Sequence, residues 1–275
     1  MTTHSEEVAA GKRFAFGENW TRFLQAFNED RLHTARESLA AMLGRKSLQG
    51  LTFLDIGSGS GLFSLAARRM DARVFSFDYD PQSVGCTTEL RRRFYPDDSQ
   101  WTVEQGSALD ADYVRSLGTF DIVYSWGVLH HTGQMWTGLA NAALAVKPGG
   151  LLFVAIYNDQ GKESRYWLRV KQAYNSCPPA LRFLVLWPAF VQLWWKRLFK
   201  DFLQLRPLET WNRVREQRGM SAWWDVVDWV GGYPFEVAKP EQIFDFYRER
   251  GFHLERMTTQ AGDLGCTEFV LRRSA

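Results

Sequence analysis

Cysteine is scarce in this chain: Cys86, Cys177 and Cys266 stand far apart, which excludes a disulfide framework and a thiolate metal cluster and predicts reduced thiols in a cytoplasm. The five histidines show no zinc-ligand spacing, so no metal is predicted. Net charge is nearly absent as well. With 33 basic against 31 acidic residues and no basic stripe interleaved with aromatics, nucleic acid is not the favoured partner, and Arg91-Arg92-Arg93 reads as a solvated helix face. The opening residues, Met1-Thr2-Thr3-His4-Ser5-Glu6-Glu7, lack the basic and apolar regions of a signal peptide, and a cytoplasmic location is expected. Long apolar runs are missing. Residues 183–195 are strongly apolar but are split by Pro188, short of the ~20 residues of a membrane span. With Lys196, Arg197 and Lys200 behind it, the segment 183–200 suits either ordinary burial or peripheral contact with a membrane. A phosphate loop ending in Gly-Lys-Ser/Thr does not occur, and Leu62 occupies the third-glycine place of a dinucleotide fingerprint.

What is present is a core-forming composition, 45% hydrophobic, organised around Phe53-Leu54-Asp55-Ile56-Gly57-Ser58-Gly59-Ser60-Gly61-Leu62-Phe63-Ser64. An apolar strand ends at Ile56, a glycine-rich turn follows, and Leu62 to Met70 has helical periodicity with Leu62, Phe63, Leu65 and Ala66 on the buried side. Such a turn brings a ligand against bare backbone at a helix N-terminus. Asp55 before it repels a pyrophosphate and suits an ammonium group. Residues 51–159 then alternate strand and helix signals, as a parallel sheet with helices on both faces requires. Arg73 to Asp78 is a second strand, with Asp78 where a carboxylate can accept from both hydroxyls of a ribose, and Asp80-Pro81 reads as a helix start. Trp101 to Glu104 is a third strand, followed by Gln105-Gly106-Ser107-Ala108-Leu109-Asp110, in which Asp110 suits a helix cap. The fourth strand, Phe120 to Ser125, runs on as Trp126-Gly127-Val128-Leu129-His130-His131, and Lys147-Pro148-Gly149-Gly150 turns into a fifth that closes with Tyr157 and Asn158.

The string Leu54-Asp55-Ile56-Gly57-Ser58-Gly59-Ser60-Gly61 resembles motif I of the class I S-adenosylmethionine (SAM) dependent methyltransferases, and the later strings are similar to the same family's motifs in order. The resemblance implies a Rossmann-like α/β fold with a mostly parallel sheet and an antiparallel last strand. It also implies SAM as cofactor. Asp55, Gly57, Ser58, Gly59 and Gly61 would hold the methionine part, Asp78 the ribose, and Tyr79, Ser107 and Ala108 the adenine; Trp126 would stand at the same site. At the place where the family often has an aspartate toward the adenine amino group, this chain has Ser107. His130 or His131 is the candidate general base for a phenol or alcohol, a structural role being the alternative for each, and Tyr157 and Asn158 are candidate substrate contacts at the catalytic centre.

Outside the core, residues 1–50 are expected to form a helical cap, with Trp20, Phe23, Leu24 and Phe27 at helical spacing and Leu32, Ala35, Leu39, Met42 and Leu43 repeating the pattern. Phe14-Ala15-Phe16-Gly17-Glu18-Asn19-Trp20 is either a lid over the cofactor or an arm docked on the core. Residues 160–235 contain eight of the twelve tryptophans and read as a helical insertion covering the substrate, suited to an apolar guest or to a sulfonium held by cation–π contact. Trp229 to Phe235 reads as a glycine-proline turn; Gly231, Gly232, Tyr233 and the following Glu236 are candidates to face substrate, turn geometry alone being the alternative for the glycines. Residues 236–275 supply a last helix, Pro240 to Arg250, and a terminal antiparallel hairpin. The expected function is methylation of a small or lipophilic metabolite, on oxygen by preference. The alternative is a SAM-consuming cyclase on the same fold, in which the α-amine attacks its own γ-carbon to give azetidine-2-carboxylate and methylthioadenosine. The acceptor and the oligomeric state are not legible in these residues.

Overall fold

The computed structural model describes residues 3–17, 19–20, 24, 27–204, 206, 222–260 and 264–275. Phe23, Glu18 and Trp211, the last being one of the eight tryptophans of 160–235, lie outside the described residues. Seven strands form one sheet: β1 (Thr52–Ile56), β2 (Arg73–Asp78), β3 (Trp101–Gln105), β4 (Phe120–Trp126), β5 (Val146–Tyr157), β6 (Phe252–Thr258) and β7 (Cys266–Arg273), in the order β3-β2-β1-β4-β5-β7-β6. Strands β3 to β5 pair in parallel, and β7 runs antiparallel between β5 and β6. This is the class I methyltransferase arrangement. The order reverses between β1 and β4, so the chain leaves these neighbours in opposite directions and opens a crevice at their carboxyl ends.

Ten helices are described: α1 (His4–Ala9), α2 (Glu29–Leu43), α3 (Leu62–Arg69), α4 (Pro81–Phe94), α5 (Ala111–Ser116), α6 (Met135–Leu144), α7 (Lys162–Ser176), α8 (Phe183–Leu203), α9 (Ala222–Gly231) and α10 (Pro240–Arg248). Side chains alternate across each strand, so Leu54 and Ile56 join Val114, Leu139 and Ile243 on one sheet face, while Phe53 joins Leu39, Leu65 and Leu90 on the other. A third cluster, with Trp167, Trp194 and Val230, belongs to α7, α8 and α9.

Local chemistry sets the element ends. Asp80 caps α4 by accepting from Gln82 N–H at 2.9 Å, with Pro81 in the first turn, and Asp110 caps α5 through Asp112 and Tyr113. Four expectations shift. Helix α1, closed by a Thr3–Glu6 capping box, opens the predicted cap with a helix that the apolar periodicity does not mark; the Lys147 to Gly150 turn is incorporated into β5; α9 runs through Trp229 to Gly231 before the chain turns; and α10 ends at Arg248. Leu62 and Phe63 of α3 are half-buried because they face the crevice, and the fully buried residues there are Ser64, Leu65, Ala66 and Ala67.

Candidate active site

The crevice leads into a cavity of about 1260 Å³. Its floor is the turn after β1. Gly57 has φ 76°, and a Cβ there would meet the Val128 side chain at 2.3 Å, so glycine lets this turn nest against the loop after β4. Gly61 has φ 80° and starts α3; it packs on Thr87 and, unlike Gly57, Ser58 and Gly59, does not reach the cavity wall.

Two carboxylates face this floor. Asp78 accepts from the Gly59 and Asp80 N–H groups, both at 2.9 Å. Burial pushes it up to about 6 against those hydrogen bonds, and the charge of Asp80 adds to the rise. Asp55 sits at the end of a directional relay. The Trp101 indole can only donate and does so to Ser76 Oγ at 2.9 Å; Ser64 directs its one hydroxyl proton at Asp55, so across the 2.7 Å contact Ser76 donates to Ser64. Burial pushes Asp55 up to about 7, opposed by the Ser64 bond and reinforced by Asp78. A pair of desolvated carboxylates beside a glycine turn favours a guest that is cationic at one end and rich in hydroxyls at the other.

Along the wall, Tyr79 meets the His4 ring at 5.6 Å and the Arg13 guanidinium at 5.1 Å. Ser107 and Ala108 line it too, although the Ser107 hydroxyl already accepts from Leu109 N–H at 3.2 Å. Trp126, exposed at the mouth, donates to Glu268 at 2.7 Å.

The histidine pair separates. His131 reaches the cavity, and its Nδ1 lies 2.7 Å from the Pro234 carbonyl. A carbonyl only accepts, so Nδ1 carries the proton and Nε2 is the basic nitrogen. Burial lowers His131 to about 3, with the charge of Lys171 adding to the effect. His130 lies behind it, fully buried and away from the wall; its Nδ1 accepts from Tyr157 N–H at 3.4 Å, and burial, with the charges of His131 and Lys171, holds it well below the usual histidine range. Tyr157 lines the cavity, with its ring 5.4 Å from that of Trp229. Asn158 does not; its backbone bonds Gly265 and bridges to Ala238. Gly231, Gly232, Tyr233 and Glu236 stand off the wall as well and brace it. Gly231 packs on Phe14, Tyr233 accepts from Phe14 N–H at 2.9 Å, and Glu236 accepts from Met135 N–H at 3.0 Å.

Four contributors were not legible as such in the sequence. Asp80, besides capping α4, accepts from Gly17 N–H at 2.8 Å and sits 3.7 Å from His4, tying the N-terminal segment to the rim. Arg13 donates to the His131 carbonyl at 3.0 Å and pairs with Glu7 at 2.7 Å. Lys171 of α7 is fully buried, donates to the Trp229 carbonyl, and lies 4.4 Å from the Trp229 ring and 4.8 Å from that of Phe235; burial brings it down to about 7, opposed by Asp228. Asp228 itself is on the wall. The Asp-Pro pair signals only a helix start, and a lysine inside a helical pattern carries no mark of burial. Among the described residues no cluster of His, Cys, Asp and Glu could hold a metal.

The profile of a family described as a methyltransferase domain matches residues 27–223. The ubiquinone biosynthesis O-methyltransferase of Rhizobium etli (strain CIAT 652) is 34% identical over 142 residues, covering 49% of this chain and 54% of that protein. The chain thus spans about half the length of the curated relatives it matches. Among solved structures, a magnesium protoporphyrin IX methyltransferase from Synechocystis PCC 6803 with bound SAH has a TM-score of 0.52 at 16% identity, covering 88% of this chain and 83% of that one. An O-methyltransferase family protein from Burkholderia thailandensis has a TM-score of 0.56 at 15% identity, covering 98% and 67%. At these identities the structural likenesses speak for the fold.

Proposed function

The chain belongs to the methyltransferase-domain family, and from that premise we propose that it transfers a methyl group from SAM to a hydroxyl of a small, lipophilic metabolite. One observation carries the reading: a single cavity is lined by the two carboxylates of the glycine-turn end and by His131, whose Nδ1 is engaged by the Pro234 carbonyl. The residues fit the cofactor, because desolvated Asp55 and Asp78 are each relieved by a guest that brings positive charge or donates hydrogen bonds. Bound SAM supplies a methyl group made electrophilic by its sulfonium. In this reading Asp78 accepts from the ribose hydroxyls, Asp55 faces the ammonium group, and Gly57, Ser58 and Gly59 accommodate the methionine chain. Tyr79, Ser107 and Ala108 flank the base. His131 Nε2 hydrogen-bonds the acceptor hydroxyl and receives its proton only as the new bond makes that oxygen strongly acidic, since a ring lowered to about 3 is too weak a base to take it beforehand. Gly61, His130 and Asn158 hold the loops in place.

The acceptor class follows from the rest of the wall. Phe14, Phe16, Tyr157, Leu193, Trp194 and Trp229 make that half apolar and aromatic, with Asp228 beside them. The N-terminal residues Arg13, Phe14, Phe16 and Trp20 act as a lid in this reading, since they line the cavity from outside the sheet. The test is mass spectrometry of the protein incubated with SAM alone and then with a panel of lipophilic phenols. S-adenosylhomocysteine formed only with an acceptor, together with a methyl ether on that acceptor, is the expected result. Methylthioadenosine formed without acceptor would replace methyl transfer with the cyclase chemistry.

A further inference from the structure

Helix α8 is apolar on both sides. Leu186, Ala189 and Trp194 pack into the third cluster, and Leu193 and Trp194 reach the cavity wall. On the opposite side Leu184, Trp187, Val191, Trp195, Phe199 and Phe202 are each 51% to 70% exposed. Their spacing of three and four residues puts all six on one stripe. A helix of 21 residues makes that stripe about 30 Å long. Monomeric surfaces rarely leave a contiguous apolar patch of such size in water, so the stripe marks an interaction surface.

Charge identifies what covers it. Residues 162–204 hold eight basic residues (Lys162, Arg165, Arg169, a buried Lys171, Arg182, Lys196, Arg197 and Lys200) against two acidic ones, Glu163 and a buried Asp201. Because the whole chain is close to neutral, the remainder is net acidic and the positive charge is concentrated around α7 and α8. Lys162, Arg165 and Arg169 are exposed on α7, and the Tyr166 hydroxyl donates to Gln192 at 2.6 Å, which sets the exposed side of α7 beside that of α8. Among the described residues no helix is long and apolar enough to cross a membrane. An exposed tryptophan-rich stripe beside the exposed Lys162, Arg165 and Arg169 of α7 has the chemistry of a surface lying in a lipid–water interface.

We propose that the outer stripe of α8 docks on the surface of an anionic lipid bilayer, the helix lying in the membrane plane with its apolar side chains at the acyl boundary and the exposed basic groups of α7 on lipid phosphates. A second copy of the chain is the poorer occupant, because pairing α8 with itself would bring two basic segments together. The docking does not depend on the proposed reaction. That it brings the cavity, whose wall includes Leu193 and Trp194 on the inner side of α8, close to a membrane-dissolved acceptor rests on that reading.

The full chain would be floated with vesicles of phosphatidylcholine alone and of phosphatidylcholine with phosphatidylglycerol, at low and high salt. Binding is expected to the phosphatidylglycerol vesicles, and to weaken by roughly tenfold in high salt. The variant Trp187→Gln/Val191→Gln/Phe199→Gln should lose binding by roughly tenfold or more while keeping SAM affinity by calorimetry. Hydrogen exchange on the wild-type chain gives a readout free of any mutation, with vesicle-dependent protection expected in 183–203. No binding to either vesicle, protection confined elsewhere, or full binding by a folded triple variant would each overturn the proposal. So would a stable dimer that the triple variant abolishes, since the stripe would then belong to a second copy.

Discussion

The Pro234 carbonyl decides which nitrogen of His131 is basic, and the substitution that tests the residue follows from it. Asparagine keeps a side-chain N–H for that carbonyl and removes Nε2. His131→Asn should therefore lower kcat by roughly 10²-fold or more while SAM affinity stays unchanged. Equal losses in both would reduce His131 to a strut. His130→Asn should act on stability instead, as the ring is fully buried behind the wall. At the cofactor end, Asp78 and Asp55 are held up to about 6 and about 7, so acidification protonates the pair just where a guest needs carboxylates. SAM affinity should be about tenfold weaker at pH 5 than at pH 7, and the double variant Asp55→Asn/Asp78→Asn should bind weakly at both. Calorimetry at the two pH values checks this; a double variant with the wild-type pH dependence would assign the titration to other groups. Asp55 and Asp78 are legible from sequence because strand ends in an alternating α/β pattern must meet at one edge. The choice between His130 and His131 is not, because it turns on Pro234, about a hundred residues away and brought in by the loop after α9.

At the scale of elements, the segment from α1 to Trp20 stays over the cavity through a few polar contacts. Gly17 is the tightest of them: its N–H reaches Asp80, and a Cβ there would meet both Asp80 Oδ2 and Gln82 Cβ at 2.5 Å. Gly17→Val should lift the segment off the rim, weakening SAM affinity and speeding proteolysis within residues 3–20, while the melting of the core changes little. A variant with wild-type protease resistance and affinity would mean that the segment can settle elsewhere without loss. The elements themselves were mostly readable: α2 buries Leu32, Ala35, Leu39, Met42 and Leu43, the residues its periodicity picks out. Helix α1 was not readable, because six residues capped by Thr3 and Glu6 offer no apolar period. The lid was legible only as one of two alternatives, since aromatics in a glycine-broken stretch bury equally well against core or ligand.

For the whole molecule the consequence is a pH dependence of stability. Buried His130 and His131 release protons on folding and favour the fold as pH rises toward 6.5, whereas Asp55 and Asp78 retain theirs and do the reverse over much of the same range, so the two pairs oppose each other on the acid side. Lys171 has no such counterweight. The unfolded chain keeps its ammonium proton to about 10.5 while the folded chain gives it up near 7, so each step of pH upward from 7 favours the folded state. Cys266 and the buried tyrosines, whose ionisation burial disfavours, reverse the trend only above their ordinary values near 9 and 10. Between pH 7 and pH 9 the ligand-free protein should thus gain roughly 2 kcal/mol, or about 5 °C in Tm. Lys171→Met, which fills the same space beside Trp229 and Phe235 without a titrating group, should make the profile nearly flat. A rise that persists in the variant would place the source outside the helical insertion, and a flat wild-type profile would mean that Asp228 and the Trp229 carbonyl keep Lys171 charged inside the fold.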